Sequence, residues 1–579
     1  MMQTYTAPIE DYRFLMEEVL DFDTVMAEIG KDVEADLAIA VLEEAGRMCS
    51  ERLHPINREG DEQGSRLIDG DVHTPTGFAE AYRDFVAAGW PALSADPEFG
   101  GQGLPFVLQL WLDEMMSATN LSFGLFSGLT RGASEAIVAH ASEDLKNIWL
   151  KPMVSGEWTG AMALTESSAG TDLALLKAKA MPVGDGSFAV TGTKIFISSG
   201  DHDFGGNIVH LVLARLPDAP PGVKGISLFL VPKFLADEKG DFSIRNAMSV
   251  GALEKKMGIH AQPTCVVNYD GAIGWLVGEP NRGLNTMFTM MNAERLFVGI
   301  QGLGVAGGAY QQAAAYAKDR LQGRNAATGD GPVAIIEHAD VRRMLLGIRS
   351  FVEAGRALAG WTALQLDRAH GHPDPAERIR ADALVALLTP VIKASFTDFG
   401  FESAVQAQQV FGGHGYIREW GMEQYVRDAR IAQIYEGTNG VQAMDLVGRK
   451  LQANGGATAR ELFDMIAVDL EAGGDRVIAL RTRDALALLR EATSPLIGAG
   501  NHAVGAAAVD YLHLLALVAL GWMWTRMAVA AEAGSTEYHR TKVGIADFFA
   551  QRVLPRAHAL AANLGAGETT VMALDSSAF

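Results

Sequence analysis

Apolar residues recur three and four apart through "FDTVMAEIGKDVEADLAIAVLEEAGRMCSERL", residues 22–53, the spacing of one packed helical face. Polar residues rich in Gly and Asp follow, "NREGDEQGSRLIDGD" (57–71), and predict a loop. Helical spacing resumes at Gly77 and runs to about Lys151. The texture then changes. "GSFAVTGTKIFISSG", "NIVHLVLARL" and "GISLFLVP" are short, rich in Ile, Val and Phe, and bounded by Gly, Asp or Pro, as strands are. Gly184 and Gly186 in "VGDGSF" suit a hairpin turn, because Gly tolerates positive φ. Strand character continues to about Asp270, and helix returns from Gly283. "NTMFTMMNAERLFVGIQGLGVAGGAYQQAAAYAKDR" is long and rich in Ala and Gly, which predicts helices packed closely on each other or on a ligand. A Gly-rich break, "QANGGATAR" (452–460), precedes a last stretch of Ala- and Leu-rich helix. Helices, then strands, then helices in sequence predict an α+β fold rather than an alternating α/β one.

Composition narrows the partners. Seventy acids against 48 Lys and Arg give a net charge of -22, which argues against nucleic acid or an anionic membrane as the main partner. A local basic pocket for an anionic ligand is still compatible with that charge. Cys49 and Cys265 form no CxxC pair and are too few for a disulfide framework, so a reducing, cytoplasmic compartment is expected. "MMQTYTAPIEDYRF" lacks a charged-then-apolar signal pattern. The apolar run "LLALVALGWMW" (514–524), flanked by His513 and Arg526, falls short of the roughly 20 residues a bilayer span needs. It reads as a buried helix, and no membrane span is expected.

Several stretches carry candidate chemistry. "ALTESSAGTDL" (163–173) offers Ser167, Ser168, Gly170 and Thr171, and reads on its own as an ordinary polar loop, or as one whose backbone amides face an anionic or carbonyl-rich ligand. In "KIFISSG" (194–200), Phe196 and Ile197 present apolar surface to a flat ring and Ser198 a hydrogen bond, or the stretch is a plain strand. Asp201, His202 and Asp203 lack the spacing of a helical metal pair, and the reading is a capping or solvated turn. "VFGGHGY" (410–416) is either a helix-to-helix turn or backbone bared to a ligand; it is not the dinucleotide fingerprint. Glu436, in "IAQIYEGTNG" (431–440), follows Ile434 and Tyr435. A carboxylate in apolar company has a raised pKa and makes a usable general base near neutral pH, for example toward a proton α to a carbonyl. The alternative is an acid that caps or salt-bridges.

Taken in order, "ALTESSAGTDL", "KIFISSGDHD", "AERLFVGIQGLGVAGGAYQQAAAYAKDR" and "QQVFGGHGY…RDARIAQIYEGTNGVQ" resemble the acyl-CoA dehydrogenase family, over about Gly77 to Leu451. The opening "YTAPIEDYRFLMEEVLDF" and the extra C-terminal helical unit resemble its long subgroup, whose members act on a thioether acyl-CoA or on a broad range of fatty acyl-CoAs. The resemblance implies a helical N-terminal domain (1–160), a central β-domain (161–282), a helical bundle (283–451) and an added C-terminal helical domain (452–579). It implies FAD held by the β-domain and the bundle, and α,β-dehydrogenation of an acyl-CoA, 3-methylthiopropanoyl-CoA being one candidate, to the 2-enoyl-CoA. Glu436 then takes the α-proton, the β-hydrogen leaves as hydride to flavin N5, and an electron-transfer flavoprotein collects the electrons. The enolate oxygen is bonded by the flavin ribityl 2′-hydroxyl and the Glu436 N–H. A homo-oligomer, at least a dimer, is implied too.

Residue by residue, Met162, Leu164, Thr165, Gly170 and Thr171 match the loop over the isoalloxazine, with Thr171 also on the CoA side. Phe196 stands where the family usually has Trp, and Ser198 where it has Thr near N5. Arg320 matches the FAD pyrophosphate contact made across the dimer, Gln409 and Gly413 the ADP portion, and Thr438 another diphosphate contact. Asn292, Arg295 and Gly437 match positions on the substrate side. The chain departs from the family at Gly323, where Phe is usual, and at Ala339 and Gly440, where Gln is usual; Asn292 replaces a common Asp. Two other functions share these features: an acyl-CoA oxidase that passes electrons to oxygen, and a non-catalytic flavin or acyl-CoA binder. The ending "DSSAF" is not a peroxisomal SKL signal, which tilts against the eukaryotic oxidases, and a binder has no need of an acid in an apolar pocket.

Overall fold

The computed structural model describes residues 4–579, and the chain gathers into two units. One comprises Met48–Leu104 and Asn120–Glu294 and carries the sheet; the other comprises Met1–Arg47, Pro105–Thr119 and Arg295–Phe579 and is helical.

The sheet unit contains every strand of the described residues. A hairpin pairs β1 (Arg66–Ile68) with β2 (Asp71–His73). The main sheet takes β3 (Thr159–Ala163), β4 (Lys179–Pro182), β5 (Phe188–Ser198), β6 (Ile208–Arg215) and β7 (Ile226–Pro232). After a second hairpin of β8 (Phe234–Ala236) and β9 (Phe242–Arg245), it adds β10 (Met248–Leu253) and β11 (Thr264–Val277). Its order is β10-β11-β5-β4-β6-β3, and β7 pairs with both β6 and β11, so five strands close a ring. The largely apolar text of β6 and β7, broken within the strands by His210 and Ser227, reflects burial along nearly their whole length. The predicted hairpin joins β4 to β5, with Gly184 at φ 108 and Gly186 at φ 91.

Three sequence expectations need correction. The stretch 57–71 is not a loop: helix His54–Gln63 runs into it and the β1–β2 hairpin follows. Its packing is tertiary, since a Cβ on Gly60 would lie 2.5 Å from the Phe78 ring. The helical text after Gly77 is interrupted between Phe78–Ala87 and Phe106–His140, where Pro91, Pro97 and Pro105 and a series of left-handed glycines break it. Strand continues past Asp270 to Val277, because Gly271 at φ 84 takes up a bulge after which β11 pairs with β7.

In the helical unit, the long helices Ala339–Gly371, Pro375–Val410 and Asn501–Ala533 pack on one another, and the part of Gly283–Asp319 that follows Arg295 packs on the first two. Small residues serve helix-on-helix approach. A Cβ on Gly302 would sit 2.4 Å from the Phe396 carbonyl oxygen, and one on Gly400 2.4 Å from that of Gly302. Gly302→Val is therefore expected to cost roughly 1–3 kcal/mol or more by overpacking, read as a lowered denaturant midpoint. Helices Pro375–Val410 and Asn501–Ala533 are long and apolar enough to cross a membrane, but their apolar windows are 83% and 67% buried within the protein. The second contains "LLALVALGWMW", whose Trp524 Nε1 donates to the Ser350 carbonyl oxygen at 2.9 Å. The Gly-rich break forms a turn at Ala453–Gly456, with Asn454 and Gly455 left-handed.

Candidate active site

In the helical unit, helix Met422–Ala432 ends, residues 433–438 turn, and helix Asn439–Asp445 begins. Thr438 caps the second helix, its Oγ1 accepting from the Val441 N–H. The turn closes on itself, because the Asn439 N–H donates to the Gln433 carbonyl at 3.1 Å. At its apex Glu436 has φ 54, left-handed for a non-glycine residue, which costs about 1–3 kcal/mol unless the surroundings enforce it. They do. Gln442 Nε2 donates to the Glu436 carbonyl at 3.1 Å, and Lys393 Nζ donates to that of Gly437 at 2.8 Å and to Asn439 Oδ1 at 2.9 Å. Gly437 follows at φ 85, where a Cβ would meet Gln442 Nε2 at 2.6 Å. Tyr435 hydrogen-bonds through its hydroxyl to Gln301 Oε1. Among the described residues no backbone carbonyl accepts from the Glu436 N–H.

The electrostatics favour a tuned base. Glu436 is half-buried by surface area, yet desolvation of its carboxyl pushes its pKa up, against the pull of Arg295 and then Lys393. Both cations are themselves buried. Burial drives Lys393 down to about 8, with Glu436 and Asp398 acting to raise it. Burial likewise lowers Arg295, which Asp445, 3.6 Å away, and Glu436 counter. An acid whose ionised form is disfavoured, with cations near enough to accept that charge, is suited to proton abstraction near neutral pH.

The sheet unit holds a second group. Met162, half-buried, pairs with Leu211 across β3 and β6, and Leu164 is buried. The Thr165 carbonyl accepts from the Ile195 N–H at 2.9 Å, tying the loop to β5. Buried Lys194 strengthens that tie, donating to the Leu164 carbonyl at 2.9 Å and to Glu166 Oε1 at 3.0 Å. Ser167, Ser168, Gly170 and Thr171 lie exposed, and a Cβ on Gly170 would meet nothing within 4 Å. Phe196 has φ 61 and is 58% exposed; the β5–β11 register slips beside it, so it leaves the strand's alternation and presents its ring. Ser198 pairs with Thr264, whose buried Oγ1 has no hydrogen-bond partner among the described residues. The turn at 201–203 caps rather than lies in solvent: Asp201 Oδ1 accepts from the His202 N–H, both residues are buried, burial pushes His202 down to about 3, and its Nε2 shares a 2.7 Å hydrogen bond with Thr159 Oγ1.

Other predicted residues sit on open surface. Arg320, Gln409, Gly413, Thr438 and Asn292 are exposed. Tyr316, close before Arg320, stacks on Phe411 at 4.0 Å and shares a 3.0 Å hydrogen bond with His414 Nδ1, beside Gly413. At Gly323, where Phe was expected, His338 occupies the space a side chain would need: a Cβ there would lie 2.8 Å from its Nε2. Sequence reasoning missed Lys194, Lys393, Asp398 and His513. The two lysines had a signal, a lone cation inside an apolar strand or helix, "TKIFI" and "PVIKASF".

Comparison with known proteins fits this arrangement. The family descriptions "Acyl-CoA dehydrogenase, N-terminal domain", "middle domain" and "C-terminal domain" match residues 37–157, 161–272 and 281–451, and "Acetyl-CoA dehydrogenase C-terminal like" matches 462–575. The 3-methylmercaptopropionyl-CoA dehydrogenase of Ruegeria pomeroyi is 44% identical over 95% of this chain and 96% of its own. A butyryl-CoA dehydrogenase of Syntrophomonas wolfei is 34% identical over 100% of this chain and 99% of its own. The structure of an acyl-CoA dehydrogenase complexed with FAD from Bacillus anthracis superposes with a TM-score of 0.76 at 20% identity, covering 96% of this chain and 91% of that one. With a braced, desolvated carboxylate in its helical unit and these matches along nearly its whole length, the chain belongs to the acyl-CoA dehydrogenase family.

Proposed function

We propose that this family member oxidises an acyl-CoA at Cα–Cβ, with Glu436 as the base that takes the α-proton. The observation that carries the reading is the Glu436 turn: a left-handed acid, raised in pKa by burial, with Arg295 and Lys393 pulling the other way. A thioester α-proton is a very weak acid, and its removal needs a base that is not stabilised by water and donors aimed at the carbonyl oxygen. The Glu436 N–H, unclaimed by backbone, supplies one such donor. Arg295, with Asn292 and Gly437, serves the substrate side.

The sheet unit fits FAD. An outward Phe196 ring suits an apolar face of a flat heterocycle, the open space at Gly170 admits it closely, and the unpartnered Thr264 Oγ1 beside Ser198 suits its polar edge. Met162, Leu164, Thr165 and Thr171 would line that face, and Arg320, Gln409, Gly413 and Thr438 would meet the diphosphate and ADP portions of FAD in a homodimer. FAD, when bound, supplies the acceptor for the β-hydrogen with its electron pair. An electron-transfer flavoprotein is the physiological acceptor, and Cys49 and Cys265, both buried and not joined in a disulfide, suit a reducing cytoplasm.

Within this reading a short thioether acyl-CoA is the preferred substrate, supported by the Ruegeria relative's name; a saturated short-chain acyl-CoA, supported by the Syntrophomonas relative, is the second candidate. Anaerobic mixing with a ladder of acyl-CoAs decides. Fastest bleaching of the flavin band is expected with 3-methylthiopropanoyl-CoA, while no bleaching with any acyl-CoA would refute the dehydrogenation itself. Rapid oxygen uptake without an added acceptor would mark an oxidase instead.

A further inference from the structure

The base turn is held from behind by one carboxylate, and the C-terminal segment reaches it. Asp398 Oδ1 accepts from Gln433 Nε2 at 2.6 Å and from Asn439 Nδ2 at 2.8 Å, the two residues at which the Glu436 turn starts and ends. Its other oxygen, Oδ2, is 2.9 Å from Nε2 of His513, on helix Asn501–Ala533. The His513 ring also stacks on Phe399, with centroids 5.7 Å apart and planes at 27°. Burial pushes the Asp398 carboxyl up, but its three donors outweigh that and hold it below its ordinary range. Lys393 sits on the same assembly, between Asn439 Oδ1 and the Gly437 carbonyl.

We propose that His513 is a positioning residue for the base: by fixing Asp398 it fixes Gln433 and Asn439, and so the left-handed turn that aims Glu436. The C-terminal segment thereby takes part in setting the active site. Lost donation from His513 leaves Asp398 free to rotate and the turn free to relax from its strained φ. This rests on the reading of Glu436 as the base.

The test uses holoenzyme in D2O with acetyl-CoA, which has α-protons and no β-carbon. Glu436 takes an α-proton, the acid exchanges with solvent, and a deuteron returns to carbon; mass spectrometry counts deuterium without any hydride transfer. His513→Phe keeps a ring on Phe399 but donates nothing, and His513→Gln restores a donor. Exchange in His513→Phe is expected to fall on the order of 10–100-fold, as for a misplaced reacting group. Acetyl-CoA affinity should hold within about twofold, and His513→Gln should recover most of the rate. Rates are compared well below each variant's thermal midpoint, so that loss of fold is not read as loss of aim. Wild-type exchange in His513→Phe, or equal loss in both variants, would overturn the proposal. Wild-type protein that exchanges no faster than Glu436→Gln would overturn the base assignment, and this inference with it.

Discussion

Glu436→Gln is expected to keep its flavin and its affinity for acyl-CoA while slowing anaerobic flavin reduction by about 10³-fold or more, the usual scale for losing a positioned base. The substitution is nearly isosteric, and the main-chain bonds that hold the turn, from Gln442 to the Glu436 carbonyl and from Lys393 to that of Gly437, do not involve the lost charge. The pH behaviour separates this from a general disturbance. In the wild type, kcat/KM should rise through an apparent pKa above the ordinary carboxylate range, because burial raises Glu436. The variant should lack that limb. Stability changes with the opposite sense. Native Glu436 holds its proton to higher pH than the unfolded chain does, so its ionisation costs stability, increasingly as pH rises from the unfolded value to the raised native one, and constantly above it. Gln cannot ionise. The variant is therefore expected to be as stable as wild type below about pH 4 and at least as stable at neutral pH, by denaturant titration at both. Wild-type reduction rates in Glu436→Gln would remove the residue from the mechanism.

The second large effect is on folding. Arg356, 4% exposed, grips Glu114 through Nη2 at 2.6 Å and Nε at 2.9 Å, and its Nη1 meets Asp11. Asp11 also binds Lys542 Nζ at 2.7 Å and the Tyr538 hydroxyl at 2.6 Å, and Lys542 binds Glu353 at 2.7 Å. The network thus gathers the opening segment, two long helices and the C-terminal segment. Arg356→Met strands Glu114, 2% exposed, leaving the Tyr12 hydroxyl, at 3.2 Å, on that carboxylate. Breaking a buried pair this way costs about 3–5 kcal/mol, whereas replacing both partners with apolar groups is often near neutral. Arg356→Met should lower the urea midpoint substantially, and adding Glu114→Leu should recover most of the loss; a double variant no better than the single would show that the ion pair was not the cause. Asp11 carries the pH signature. Burial pushes its pKa up, but Lys542 and Arg356 outweigh that and hold it well below the usual carboxylate range. Its contribution is present above the unfolded carboxylate pKa and is lost as pH falls toward the native one. Acid unfolding should accordingly begin at higher pH in Arg356→Met.

Particular residues show where sequence reading reached and where it stopped. Strands β5, β6 and β7 were legible because β-branched and aromatic runs between Gly, Asp and Pro leave few alternatives. The hairpin at Gly184 and Gly186 was legible because the turn needs positive φ. The helix at 54–63 was not, because its composition is that of a loop and its burial depends on Phe78. At the candidate site the identity of Glu436 and its apolar neighbours was plain, but its partners were not. Arg295 and Lys393 come from other helices, and His513 from the far segment.

The order of the amino acids alone determined an α+β architecture and an acid in apolar company with a glycine beside it; the base role of that acid came from the family resemblance. The architecture and the acid's neighbours follow from local patterning, since backbone preference and side-chain polarity act over a few residues. Tertiary structure alone decided that the acid is desolvated, that it takes a left-handed φ, and that Asp398 gathers both ends of its turn. Desolvation and charge coupling depend on distances between groups far apart in the chain, and only folding sets those distances.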